Sequence, residues 1–208
     1  MNKIEVSKLL EDFEKKFKRF NLSEKEKWQL CLYSPSHLMY VDIETEGLSK
    51  ERNDITLIGI YKERKYYPFI KGFNLDKALK FLSSTPIWVT FGGENFDIPF
   101  IKKTFPYLKT PLIHIDLFFL TKEVGLRGGL KKIEKMLGIV RKTEGLNGYD
   151  AVKLWKKWVE EKDKNSLRKL ILYNKEDVVN IKKIMDYVIA KLLNKEGKGY
   201  EDVSLEFL

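Results

Sequence analysis

The chain has 208 residues, of which 43% are hydrophobic and 13% aromatic; this excludes intrinsic disorder and suits one domain with a buried core. A net charge of +9 fits a polyanionic partner, and the 33% of charged residues, weighted to Lys and Glu, carries the compositional mark of a thermophile. Cys31 is alone, which excludes an intramolecular disulfide and fits a reducing cytoplasm, and with only His37 and His114 as histidines there is no zinc-type cluster.

The first 35 residues are expected to form a helical extension. Ile4, Leu9, Leu10, Phe13, Phe17 and Phe20 recur at helical spacing, and no uninterrupted apolar run marks a signal peptide. No stretch approaches the roughly 20 apolar residues of a membrane span. Residues 38–43 (LMYVDI) read as a buried strand. Residues 55–61 (ITLIGIY) and 65–70 (KYYPFI) read as two more, joined by the polar turn Lys62-Glu63-Arg64. A helix follows at 75–83 and a strand at 87–91. Asp97 opens the next helix, with Pro99 in the first turn, where proline is tolerated. Residues 112–116 (LIHID) form a short strand, and helical patterns then cover 116–123, 129–137, 149–160 and 165–193. The order predicts an α/β domain over residues 36–193, a mixed sheet flanked by helices, followed by a tail at 194–208.

Three short stretches bring carboxylates to the ends of these elements. In residues 40–48 (YVDIETEGL), Asp42 and Glu44 stand two apart on a strand and project to one side. Unpaired charges in such a place are costly, and a bound cation is the usual compensation. In residues 91–97 (FGGENFD), Asp97 fits a helix N-cap as well as a ligand. In residues 170–180 (LILYNKEDVVN), Tyr173 and Asp177 lie four apart on one helix face, which they share with Leu170, Ile181 and Ile184. Asp116, at the end of a strand, fits a cap for the helix after it or a place near the site; His114 fits a satisfied core histidine, and Trp155 and Trp158 core positions.

Taken in order, VDIET, FGGENFD and YNKED resemble the three exonuclease motifs of the DEDD superfamily in its tyrosine subtype. The segment RGGLKKIEKMLGI and the later NGYDAVKLWKKW resemble stretches of YprB-like nucleases. The resemblance covers about residues 36–190 and implies a ribonuclease-H-like fold. It implies a 3′→5′ exonuclease that hydrolyses phosphodiester bonds with two divalent ions, Mg²⁺ or Mn²⁺. Asp42, Glu44, Asp97 and Asp177 are then the metal ligands, with Asp42 bridging both ions, and Tyr173 orients the attacking water. Where related second motifs often carry Asn, this chain has Gly92, which puts substrate preference in question rather than the reaction.

Single-stranded nucleic acid is the expected substrate, with DNA favoured over RNA because the second motif resembles that of family B polymerases. By position, Thr45, Glu46, Asn95 and Phe96 are the candidates to hold the terminal nucleotide. Residues 102–142 hold ten Lys or Arg against three acids, a net +7, and within them Arg127 and Lys131 are the candidate contacts to upstream phosphates. An exoribonuclease and a non-catalytic nucleic-acid adaptor are the alternatives. The tail's end at 201–208, acidic then apolar, suits docking on a second copy or on a replication or repair partner.

Overall fold

The structure, a computed structural model, describes residues 11, 12, 15, 26–33 and 35–197. Of the expected N-terminal helix only residues 11, 12 and 15 are described, all of them helical, and the 201–208 end lies outside the described residues.

Five strands form one mixed sheet in the order β3-β2-β1-β4-β5. They are β1 (Leu38–Thr45), β2 (Ile55–Lys62), β3 (Lys65–Ile70), β4 (Ile87–Thr90) and β5 (Ile113–Asp116). β1, β2 and β3 make an antiparallel meander, while β4 and β5 run parallel to β1. The hairpin between β2 and β3 closes on Glu63 and Arg64, both at positive φ (50° and 62°), the backbone of a type I′ turn. Pro68 has no N–H to donate, and it sits on β3, an edge strand, where that costs least. The helices are α1 (Leu30–Tyr33), α2 (Ala78–Ser84), α3 (Asp97–Thr104), α4 (Leu117–Glu123), α5 (Leu130–Met136), α6 (Gly148–Glu161) and α7 (Lys164–Glu196).

Helices cover both faces of the sheet, and the alternation along β1 shows how. Met39, Val41 and Ile43 pack with Ala78 and Leu82 of α2 and Phe100 and Ile101 of α3. Leu38 and Tyr40 pack in the other layer with Val178, Ile181 and Ile184 of α7. Asp42 and Glu44 continue this second register, so strand periodicity alone turns them toward α7. A bulge between Glu44 and Thr45 then ends the regular pairing with β2. α7 has 33 residues and spans about 50 Å. It starts at an Asp163 cap, after α6 has begun at an Asn147–Asp150 capping box. α7 continues to Glu196, three residues past residue 193, the expected end of the domain.

Candidate active site

Asp42 and Glu44 from β1 and Asp177 from α7 come together: each offers a carboxylate oxygen, and these atoms lie within 4.8 Å of one another. Asp97, buried in the first turn of α3, does not cap its own helix by default; its Oδ1 accepts from Ile43 N on β1 at 3.1 Å. The second motif is thereby fastened to the strand that carries the first.

The close approach of α7 to the sheet depends on Gly59, which pairs with Asp42 in the β1–β2 register. A Cβ at residue 59 would stand 1.8 Å from Asn174 Oδ1. In the space so left, Asn174 donates through Nδ2 to Asp42 Oδ2 at 2.8 Å and to the Asp42 carbonyl at 3.3 Å, and approaches Glu44 Oε1 at 3.5 Å. Its Oδ1 accepts from Tyr66 Oη at 2.9 Å. Asn174 thus orients the β1 acids while being fully paired itself.

The acids are electrostatically poised. Burial, then the charges of Asp177, Asp97 and Glu44, hold Asp42 well above the usual carboxylate range. Burial and Asp177 do the same for Glu44, against the Asn174 hydrogen bond and Lys131. Burial raises Asp177, opposed by Lys131 and Arg141. Asp97 is pushed up to about 7, chiefly by burial, although hydrogen bonds from its own N–H and from Ile43 pull it back. Tyr173 is also raised, by burial and then by Asp177, Glu44 and Asp42, so it stays a neutral phenol. Lys131 Nζ donates to Tyr173 Oη and lies 4.4 Å from the ring centroid, which leaves the phenol proton free to donate elsewhere. This set of hard oxygen donors, crowded enough to raise one another's pKa, fits a divalent cation of the Mg²⁺ or Mn²⁺ kind.

The other expected residues are placed as follows. Thr45 is buried and its hydroxyl donates to the Gly47 carbonyl at 2.7 Å. Glu46 pairs with Lys71 at 2.7 Å and accepts from Asp54 N, so it is engaged within the protein. Asn95 is exposed in the turn before α3, and Phe96 packs on Phe100 with ring centroids 4.9 Å apart. Arg127 is exposed. Lys131, the candidate contact to upstream phosphates, stands beside the acids, its Nζ donating to Tyr173 Oη. The basic 102–142 segment does not face solvent throughout. Arg141 is buried against Glu134 and Asp177, because the segment folds back on α7. Asp116 does cap α4, accepting from Phe118 N at 3.0 Å, and it also ties down the turn before Asp97, accepting from Gly92 N at 2.7 Å and Glu94 N at 3.1 Å. His114 is satisfied by Thr90 Oγ1 at 2.9 Å. Asn174, Arg141 and Glu134 were missed. Asn174 stands inside the YNKED stretch, and its neighbours there gave the only signal that it is special.

No helix among the described residues is long and apolar enough to cross a membrane. No curated protein matches the sequence. Among solved structures, the chain is similar to Brucella melitensis NrnC bound to pGG (20% identity, TM-score 0.54, 84% of this chain and 81% of that one). NrnC with bound Mg²⁺ is similar to the same degree: 20% identity, TM-score 0.54, 84% and 81%. The family B DNA polymerase of the archaeon Pyrobaculum calidifontis is similar at 15% identity and TM-score 0.53, over 76% of this chain, which spans only 24% of the polymerase. These identities speak for the fold. The RNase_H superfamily profile matches residues 39–189, from within β1 to within α7, so the acids described above all lie inside it, and the chain belongs to the RNase_H superfamily.

Proposed function

We propose that this protein is a metal-dependent 3′→5′ exonuclease of the DEDD tyrosine subtype, acting on single-stranded nucleic acid. The observation that carries the reading is the meeting of Asp42, Glu44 and Asp177, with Asp97 fastened to the same strand and Tyr173 one helical turn before Asp177. Asp42, Glu44, Asp97 and Asp177 would hold two divalent ions, Mg²⁺ or Mn²⁺, which when bound supply a nucleophile at neutral pH and stabilise charge on the phosphate. Tyr173, a neutral phenol with a free proton, orients the water beside the phosphodiester. Lys131 supplies positive charge next to Tyr173, where the anionic phosphate must enter. Asn174 keeps the Asp42 carboxylate aimed, and the Asp116-bound turn keeps Asp97 in place.

Single-stranded DNA is the substrate that the polymerase-like second motif favours. The likeness to NrnC bound to pGG, which extends over 81% of that chain, favours a second reading, in which short oligonucleotides of that kind are taken.

Incubating the protein with DNA, RNA and two-residue oligonucleotides labelled at the 5′ end, with Mg²⁺, Mn²⁺ or EDTA, tests the reading. The expected result is a ladder shortening from the 3′ end that EDTA and Asp42→Ala abolish. Intact binding with no shortening on any substrate would replace the enzyme by a non-catalytic adaptor of the same fold.

A further inference from the structure

Asp177 has a second set of neighbours besides Asp42 and Glu44. Arg141 Nη1 donates to Asp177 Oδ1 at 2.6 Å and to Glu134 Oε1 at 2.7 Å. The side chains are nearly sealed from solvent, at 6% exposure for Arg141 and Asp177 and 1% for Glu134. Arg141 Nη2 reaches the Tyr173 carbonyl at 3.3 Å and Thr143 Oγ1 at 3.4 Å. Glu134 Oε1 also accepts from Asn180 Nδ2 of α7 at 2.8 Å. Glu176 pins the loop that carries Arg141, accepting from Lys142 N at 2.7 Å and Thr143 N at 3.1 Å.

A buried row of charges is a poor way to gain stability, since well-packed apolar residues often do better. Here it is also imperfect: Glu134 Oε2 and Arg141 Nε are buried without a hydrogen-bond partner among the described residues. The geometry has a use of another kind. A carboxylate that ligates a metal needs its direction set by an outer partner. Arg141 holds Oδ1 of Asp177 and so restrains the rotation of the carboxylate that also meets Asp42 and Glu44. The planar fork does this while holding the carbonyl of Tyr173, so one guanidinium sets both residues of the third motif.

We propose that Arg141 is a positioning residue for the Asp177 carboxylate, with Glu134 the buried counter-charge that lets a cation stand beside a metal ligand without cancelling it. The inference rests on the nuclease reading of the same site. Two roles for Arg141 predict opposite signs. A cation that only screened the acids would weaken metal binding, so its removal would tighten it. A cation that aims the carboxylate would be missed, and metal binding would weaken.

The test is the double variant Arg141→Met/Glu134→Gln, which removes both charges together and keeps an acceptor for Asn180. Circular dichroism establishes folding, titration calorimetry reads Mn²⁺ affinity, and oligonucleotide kinetics separate kcat from KM. Mn²⁺ affinity and kcat should each fall by roughly 10- to 100-fold, with KM nearly unchanged. Arg141→Lys, which keeps the charge and loses the fork, should stay impaired, and it carries the comparison if the double variant does not fold. Unchanged or tighter Mn²⁺ binding, or full activity in Arg141→Lys, overturns the proposal. Wild-type protein that neither binds Mn²⁺ nor cuts would sink the nuclease reading and this inference together. Wild-type protein that does both, beside an unaffected variant, sinks this inference alone.

Discussion

Asn174 joins three segments through one amide. Its nitrogen serves Asp42, 132 positions away, its oxygen serves Tyr66, 108 positions away, and its side chain fits only because residue 59 is glycine. Asn174→Ala leaves a buried carboxylate without its donor and should cost about 1–3 kcal/mol of stability. Activity should fall by roughly 10- to 100-fold, the usual loss when a metal ligand's outer partner is removed. Gly59→Ala tests the same contact from the other side. Its Cβ would collide with Asn174 and Val178, so either Asn174 swings off Asp42 or α7 moves outward. The expected cost is about 1–3 kcal/mol, read by thermal melting. Activity should drop as it does in Asn174→Ala, although residue 59 is aimed at no substrate. A variant that melts earlier yet keeps its full rate would show that Asn174 supports packing only.

The spacing within each element is legible in the sequence, and the contacts between elements are not. Asp42 and Glu44 two apart on a strand, and Tyr173 and Asp177 four apart on a helix, share a face by backbone geometry, so both pairs can be seen without a structure. The five strands and the major helices follow in the same way, from periodicity and turn residues. Arg141 and Lys131 look like members of a solvated basic run, because charge counting carries no information about which loop folds back on which helix. Asp116 shows the same limit: its position predicts the cap on α4, while its hold on the turn at 92–94 requires β4 and β5 side by side. Asp116→Ala should therefore do more than the ~1 kcal/mol of a lost cap. It frees Gly92 N and Glu94 N as well, and that turn leads directly into Asp97. Hydrogen exchange at residues 92–94 should speed up, and the Mg²⁺-dependent rate should fall with it. Exchange unchanged in that turn would mean that Gly92 and Gly93 hold their backbone without Asp116.

At the scale of the whole molecule, a basic protein encloses an acidic site, and the two respond to pH differently. The acids in the cluster have pKa values raised above those of the unfolded chain, with Asp97 near 7. From about pH 4 up to these raised values, about 7 for Asp97, the metal-free native state therefore holds protons that the unfolded chain has released. Where the native state binds more protons, stability falls as pH rises, so the cluster's protons stabilise the fold at the acidic end of this window and that contribution is lost as pH rises through the raised values, about 7 for Asp97. His114 works the other way, since burial lowers its pKa and its neutral form is favoured as pH rises. A melting curve against pH alone would mix the two. Mg²⁺ separates them, because it competes with protons only for the carboxylates. The gain in melting temperature on adding Mg²⁺ should be small near pH 4.5 to 5, where Asp97 holds its proton, and should grow through about pH 7 as the ion replaces protons that cost progressively more to keep. Asp97→Asn should shift the midpoint of that growth, since it removes the acid that titrates near 7. A Mg²⁺ gain that is the same at both ends of the window would mean that the carboxylates are ionised throughout, held so by Lys131 and Arg141 without any ion.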